Sequence, residues 1–136
     1  MSKILAFDVG GRRTGIAITD DLQMIATPLE TVETREIWKY LAQLLEKERV
    51  ETVVVGLPLG LRGEATDGTA IAQDFCEKFS KKYPLIKIER VNEQFTSKLA
   101  SQALIAGGAK KKQRQKKGEL DKVSATIMLQ EYLDWR

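Results

Sequence analysis

Residues 3–20 read Lys3-Ile-Leu-Ala-Phe-Asp8-Val9-Gly10-Gly11-Arg12-Arg13-Thr14-Gly15-Ile16-Ala17-Ile18-Thr19-Asp20, and the reading of this stretch decides the fold. Its first part, 3–9, is an almost continuously apolar run with an acid near its end that stops at a glycine pair, the pattern of a strand entering a tight turn. Its second part, 14–20, alternates and places Ile16 and Ile18 on one face. Strands joined by so short a connection pair antiparallel. A third short strand is expected at 24–28, ended by Pro28, so the chain opens as an antiparallel meander.

The period then changes. Ile37, Leu41, Leu44 and Leu45 recur at helical spacing across 34–48. Thr52-Val-Val-Val-Gly56 is apolar on both faces, as expected of a central parallel strand covered on two sides. After a loop over 57–67, a second helix is expected at 68–82, burying Ile71, Phe75, Cys76 and Phe79. Residues 85–91 alternate Ile86 and Ile88 with Lys87 and Glu89, which suits a strand near a sheet edge. A third helix should begin at Thr96 or Ser97 and end at Gly107-Gly108, and a last helix should span 120–133. Trp38 and Trp135 read as packing or surface residues. The order β-β-β-α-β-α-β-α-α specifies an α/β fold: a mixed five-stranded sheet, three antiparallel meander strands then two parallel ones, flanked by helices. At 136 residues the chain is expected to be one domain, 1–136.

Hydrophobic residues make up 43% and charged residues 30%, a composition that can build a core and excludes disorder of the whole chain. There is no histidine and one cysteine, Cys76. That removes a histidine general base, a Ser-His-Asp triad, an internal disulfide and Cys- or His-rich metal sites. No Gly-x-x-x-x-Gly-Lys-Ser/Thr phosphate loop occurs. Chemistry must therefore come from carboxylates, hydroxyls, lysines or arginines. The net charge is +3, but Lys110, Lys111, Lys112, Arg114, Lys116 and Lys117 fall within eight residues, and removing those six charges leaves −3. So local a basic patch points to a polyanionic partner. The N-terminus runs straight into a strand, with no signal-peptide pattern and no apolar run of membrane-spanning length, so no membrane partner and a cytoplasmic location are expected.

Three carboxylates stand out by position. Asp8 lies at the end of the first strand, Glu93 just after the last strand, and Asp121 at the opening of the final helix. Groups at the carboxyl ends of parallel strands collect on one rim of an α/β sheet, where ligands bind. Taken singly, each acid has an ordinary reading: Asp8 as a turn former, Glu93 as a cap for the helix near Thr96, Asp121 as a first-turn acid favoured by the helix dipole. Together they form a set of hard oxygen ligands for Mg2+ or Mn2+, and such ions promote phosphodiester hydrolysis without any histidine.

The motifs Asp8-Val-Gly-x-x-x-x-Gly15-Ile-Ala, Val55-Gly-Leu-Pro-Leu59 followed by Gly63, Glu93-x-x-Thr/Ser and Asp121-Lys-x-x-Ala125 occur in this order. In this the chain resembles the YqgF (RuvX-like) family of Holliday junction resolvase-type nucleases, over nearly its whole length. The resemblance implies an RNase H-like fold and a divalent-metal nuclease that processes the 5′ end of the small-subunit (16S) ribosomal RNA precursor. It implies Asp8, Glu93 and Asp121 as catalytic metal ligands, Gly10 and Gly15 as residues keeping the first hairpin close to the substrate, and the Gly56-Leu57-Pro58 turn as another wall. Gly10, Arg12 and Arg13, with the basic residues of 110–117, are the expected nucleic-acid contacts. The chain departs from the family where Asn92-Glu93-Gln94 replaces Asp-Glu-Arg, a paired loss of acid and base that keeps the local charge, and where Arg62 replaces an acidic or amide residue. Two other readings stand beside RNA processing: cleavage of branched DNA, which requires a symmetric dimer, and RNA binding without hydrolysis in ribosome assembly. A monomer or weak dimer is expected.

Overall fold

The computed structural model describes residues 2–58, 64–92 and 117–136, the last segment with side chains from Lys122 onward. The strands are β1 (Lys3–Val9), β2 (Arg13–Thr19), β3 (Ala26–Glu33), β4 (Val50–Leu57) and β5 (Lys87–Asn92), and the helices α1 (Ile37–Lys47), α2 (Asp67–Lys82) and α3 (Lys117–Trp135). They form one sheet in the order β3-β2-β1-β4-β5. β1 pairs antiparallel with β2 and parallel with β4, and β4 pairs parallel with β5. The expected three-plus-two sheet is what forms, with β5 at its edge.

The unbroken apolarity of β1 and β4 has a simple cause. Leu5, Phe7, Val9, Val53 and Val55, with Ile16 and Ile18 of β2, pack on one face against Ile37 and Leu41 of α1 and Phe75, Cys76 and Phe79 of α2. The Phe7 ring lies 5.2 Å from Phe75 and 6.4 Å from Phe79, and Trp38 stacks on Phe75 at 5.1 Å. The intervening residues Ile4, Ala6, Ala17 and Val54 face the other way, against Ala125, Met128, Leu129 and Leu133 of α3. Both faces of the central strands are therefore dry, and strand alternation decides which helix each residue meets.

Three expectations are corrected. β3 does not stop at Pro28 but continues to Glu33. Pro28 lies on an edge strand, where its missing N–H breaks no essential ladder bond, and the register slips there: Ala17 pairs with Pro28 but Ile16 with Glu30. The helix expected from residue 34 begins with a 3-10 turn, Thr34–Glu36, and becomes α-helical only at Ile37. Ile71 is 36% exposed, on the flank of the buried stripe of α2 rather than in it; Trp135, at 87% exposed, takes the surface reading of the two expected for it. The helix expected over 96–107 lies outside the described residues.

The C-terminal end of α3 is tied to the β2–β3 turn. Ala26 N–H donates to Gln130 Oε1 at 3.0 Å, Gln130 Nε2 donates to the Met24 carbonyl at 3.3 Å, and Arg136 donates to Gln23 Oε1 and to the Gln23 carbonyl at 2.7 Å each. Gln23, in the left-handed region at φ 56, completes that turn. Its other anchor is Asp20, whose carboxylate accepts from Ile25 N–H at 3.0 Å and Met24 N–H at 2.8 Å. These donors hold the Asp20 carboxyl below its ordinary value of 3.8. α3 thus runs from the rim where β1 ends back to the rim where it begins.

Leu129→Ala should cost about 2–5 kcal/mol in urea unfolding, as for other buried leucines, whereas Leu85→Ala, at a side chain 97% exposed, should change stability by no more than about 0.5 kcal/mol. The contribution of Asp20 is present above its unfolded-state pKa and lost as pH falls through its lower folded-state value. Unfolding of Asp20→Asn followed between pH 2 and pH 6 should therefore show a shallower acid limb than wild type.

Candidate active site

β1, β4 and β5 finish at the same rim. Phe7 pairs with Val55, Gly56 with Val91 and Leu57 with Asn92. One step beyond Phe7, Asp8 is therefore level with Gly56 and Val91, and two strand spacings, about 10 Å, separate β1 from β5. Phe7 and Val9 pack toward α1 and α2, so Asp8 between them belongs to the α3 face, in line with Ile4 and Ala6. It is partly buried, and its cross-strand neighbour on β2 is Gly15, which offers no side chain beside the carboxylate. Asp8 is engaged by another group of the folded chain.

α3, which begins at Lys117 rather than at the expected 120 and so carries Asp121 in its second turn, reaches this same end. Gln130 sits at Ala26, which pairs with Thr19. From Gln130 back to Asp121 is nine residues of helix, about 13 Å; from Thr19 to Gly15 is four residues of strand, again about 13 Å. The turn that carries Asp121 is thus level with the Asp8–Gly15 pair, and Asp121 precedes the buried Ala125 by four residues. Glu93 follows Asn92, the last residue of β5, and lies outside the described residues, as do Lys110, Lys111, Lys112, Arg114 and Lys116. Lys117 opens α3. Among the described residues no three His, Cys, Asp or Glu side chains gather as metal ligands; of the three expected acids, that set contains the side chain of Asp8 alone.

The turn between β1 and β2 is tightly organised. Gly10 N–H donates to the Arg13 carbonyl at 2.9 Å, and a Cβ on Gly10 would stand 2.6 Å from that same oxygen. Glycine at position 10 is therefore demanded by the hairpin itself. Thr34, at the start of the 3-10 turn, holds the loop from outside: its N–H donates to the Arg12 carbonyl at 2.9 Å, its hydroxyl donates to the Gly10 carbonyl at 2.6 Å, and its Oγ1 lies 2.9 Å from Thr14 Oγ1. This clamp sets the backbone at Arg12, which is exposed at the tip, and at Arg13, which is partly buried. Sequence reasoning missed Thr34, because its partners are 20 and more residues away and nothing local to it signals them. Gly11, Arg12, Glu33 and Arg35 line a shallow depression beside the turn, with Glu33 and Arg35 paired at 2.8 Å.

The exit of β4 is fixed similarly. Thr66 caps α2, with Thr66 N–H donating to Thr69 Oγ1 at 2.9 Å and Thr69 N–H to Thr66 Oγ1 at 3.3 Å, and both hydroxyls reach the Pro58 carbonyl. Gly68 permits this approach, since a Cβ there would meet Pro58 Cγ at 2.9 Å. The Gly56-Leu57-Pro58 turn is thus held by the N-terminus of α2. Burial raises the pKa of the Cys76 thiol within the core, so it is not a candidate nucleophile.

The donor chemistry at this end of the sheet fits a hard divalent cation: Asp8 supplies carboxylate oxygen, the kind of ligand that such an ion prefers. Neither thiolate nor imidazole is at hand. No helix among the described residues is long and apolar enough to cross a membrane.

The fold is shared with junction-resolving nucleases. RuvC of T. thermophilus, solved in complex with a Holliday junction substrate, superposes with a TM-score of 0.61 at 14% identity, covering 99% of this chain and 98% of that one. The Fowlpox virus resolvase, solved with Holliday junction DNA, gives 0.56 at 13% identity and 97% coverage of both. These likenesses define the fold class, RNase H-like. The family follows from sequence: the model described as "RuvX: Holliday junction resolvase" matches residues 2–135, and the chain belongs to that family. Relatives described as "Putative pre-16S rRNA nuclease" include one from Flavobacterium psychrophilum, 49% identical over 98% of this chain and 97% of its own length. Another, from Christiangramia forsetii, is 47% identical over 98% of both. The protein is a nuclease, and its family implies dependence on a divalent cation.

Gly10→Ala should lower stability by about 1–3 kcal/mol, because the new methyl must displace the Arg13 carbonyl. Thr34→Val, which removes two hydroxyl contacts from the same turn, should cost about 1 kcal/mol or somewhat more. Because both act on one loop, the double variant measured by urea unfolding should fall short of the sum of the two.

Proposed function

We propose that the protein hydrolyses phosphodiester bonds in structured RNA, processing the 5′ end of the 16S ribosomal RNA precursor, with Asp8, Glu93 and Asp121 holding Mg2+ or Mn2+. The observation that carries the reading is that α3 covers the face to which Asp8 belongs and, by its length from Gln130, brings the turn that carries Asp121 level with the end of β1. Glu93, two residues after Val91 in the chain, would complete the set from β5. When bound, the cation activates water for in-line attack at phosphorus and stabilises the departing oxygen. The chain's own residues bind and orient. Three carboxylates on one rim repel one another and favour a cation among them. The Thr34-clamped turn presents Arg12 and Arg13 to the strand, and Lys110, Lys111, Lys112, Arg114, Lys116 and Lys117 supply sequence-independent grip on phosphates. In this reading the chain works as a single domain, as a monomer or weak dimer, in the cytoplasm where ribosomal RNA precursors are made.

The substrate assignment rests on the names borne by relatives 40–49% identical over nearly the full chain. Branched DNA is the second reading, favoured by the family description and by the two resolvase structures. It requires two symmetric cuts and hence a dimer.

A labelled 16S precursor fragment and a four-way DNA junction, each incubated with Mg2+ or Mn2+ and wild type or Asp8→Asn, separate the readings. Expected is metal-dependent cutting of the RNA that falls by about 100-fold or more in Asp8→Asn, the order of magnitude for losing a group that acts in the transition state. Cutting of the junction alone, by a dimer, would establish the DNA reading; tight RNA binding without cutting by either protein would make this chain an assembly factor. Replacing Lys111 and Lys112 by Ala should reduce the slope of log affinity against log salt by roughly 1–2 in an RNA-binding titration, at about 0.7 for each phosphate no longer neutralised.

A further inference from the structure

Ser124 is a polar residue of α3 that the packing among the described residues leaves unexplained. It is 1% exposed, and its hydroxyl has no hydrogen-bond partner among the described residues. Leaving a buried hydroxyl unmatched is unfavourable, and native interiors rarely do so without a reason. Hydroxyls inside helices commonly bond back to the carbonyl one turn earlier, as Thr126 does to Lys122 at 2.7 Å. Ser124 does not.

Its position supplies the reason. Met128, one turn further along α3, packs in the groove that Val91 and Asn92 of β5 also line. Ser124 is four residues nearer the rim than Met128, about 6 Å along the helix axis. It is three residues after Asp121, so the two positions are neighbours on the helix surface. Asp8 is on the sheet face that α3 covers, level with Val91. Ser124 is thus carried on the N-terminal half of α3, the half nearer the rim where β1 ends, on the helix that covers the sheet face to which Asp8 belongs.

We propose that Ser124 is a positioning residue of the acidic site, its hydroxyl donating to a carboxylate oxygen of Asp8 in the cation-loaded protein. This rests on the reading that places Asp8 among the metal ligands. Asp8 already has a contact within the chain, and pairing with Ser124 requires that contact to be exchanged. With a divalent cation bound, one carboxylate oxygen of Asp8 would be taken up by the ion, which would favour exchange of the present contact and leave the other oxygen to accept from Ser124. Groups that orient a ligand in this way are commonly worth about tenfold or more in metal affinity.

The test is Mn2+ binding by calorimetry together with thermal unfolding, on the full chain and its Ser124→Ala, Ser124→Cys and Asp8→Asn variants. With chelator present, Ser124→Ala should melt at or above the wild-type temperature, because it removes an unmatched hydroxyl. In Mn2+ its dissociation constant should rise about tenfold, and Ser124→Cys, nearly isosteric but a poor donor, should behave alike. A hydroxyl with an ordinary structural partner gives the opposite signature: Ser124→Ala loses several degrees in chelator and keeps wild-type Mn2+ affinity, which overturns the proposal. If Asp8→Asn weakens Mn2+ binding and neither Ser124 variant does, the positioning role alone fails. If Asp8→Asn binds Mn2+ as wild type does, the acidic site fails and the role of Ser124 with it.

Discussion

The packing of α3 across the face formed by Ile4, Ala6, Ala17 and Val54 is the contact on which the other features of the molecule rest. Ala6 and Ala17 are fully buried and small, so the helix can lie close to the sheet, with Met128 and Leu129 as the bulk that seals it. The same contact brings a segment from the far end of the chain over the end of β1. At its other end the helix is pinned by Gln130 and Arg136 to the β2–β3 turn. Pinning one end of a rigid helix fixes where the other end falls, and that other end carries Asp121 and Ser124. Core packing and site geometry are therefore one problem in this fold.

The opposite face works as a support rather than a site. The aromatic cluster of Phe7, Phe75, Phe79, Tyr83 and Trp38 fastens α2 to the central strand, and α2 in turn carries the threonine pair that holds Pro58. On the other side of β1, Thr34 ties the β1–β2 turn to the start of α1. Two loops flanking the strand ends are thus each held by a threonine-based hydrogen-bond set. Glycine at 10 and at 68 is needed because backbone or ring atoms come within 3 Å of where a side chain would begin. Glycine at motif position 10, like that at 68, first serves the fold.

Much of the architecture is legible in the residues. The apolar runs of β1 and β4, the alternation in β2, and the helical stripe of Ile37 and Leu41 each reflect burial on known faces, and burial leaves a periodic trace. Where structure and local pattern part, the cause is tertiary. Pro28 reads locally as a strand end, yet it is tolerated in β3 because an outer strand needs no hydrogen bonds on its free side. Ile71 is apolar at helical spacing and so reads as core, yet the stripe that α2 buries passes through Ala72, Phe75, Cys76 and Phe79 and leaves Ile71 at its flank.

Composition and hydrophobic period were enough to set the class of chemistry and the arrangement of strands. Without histidine and with a single buried cysteine, oxygen ligands and basic side chains are what is left, and the period dictates which segments are strands and which face each residue takes. It took the packed molecule to establish that Thr34 governs the first turn, that Gly10 answers to the Arg13 carbonyl, and that Ser124 is buried without a partner among the described residues. The physical reason is range. Periodicity is written into neighbouring residues by burial, whereas a hydrogen bond between groups 20 positions apart, or the lack of one, exists only once packing has brought the segments together.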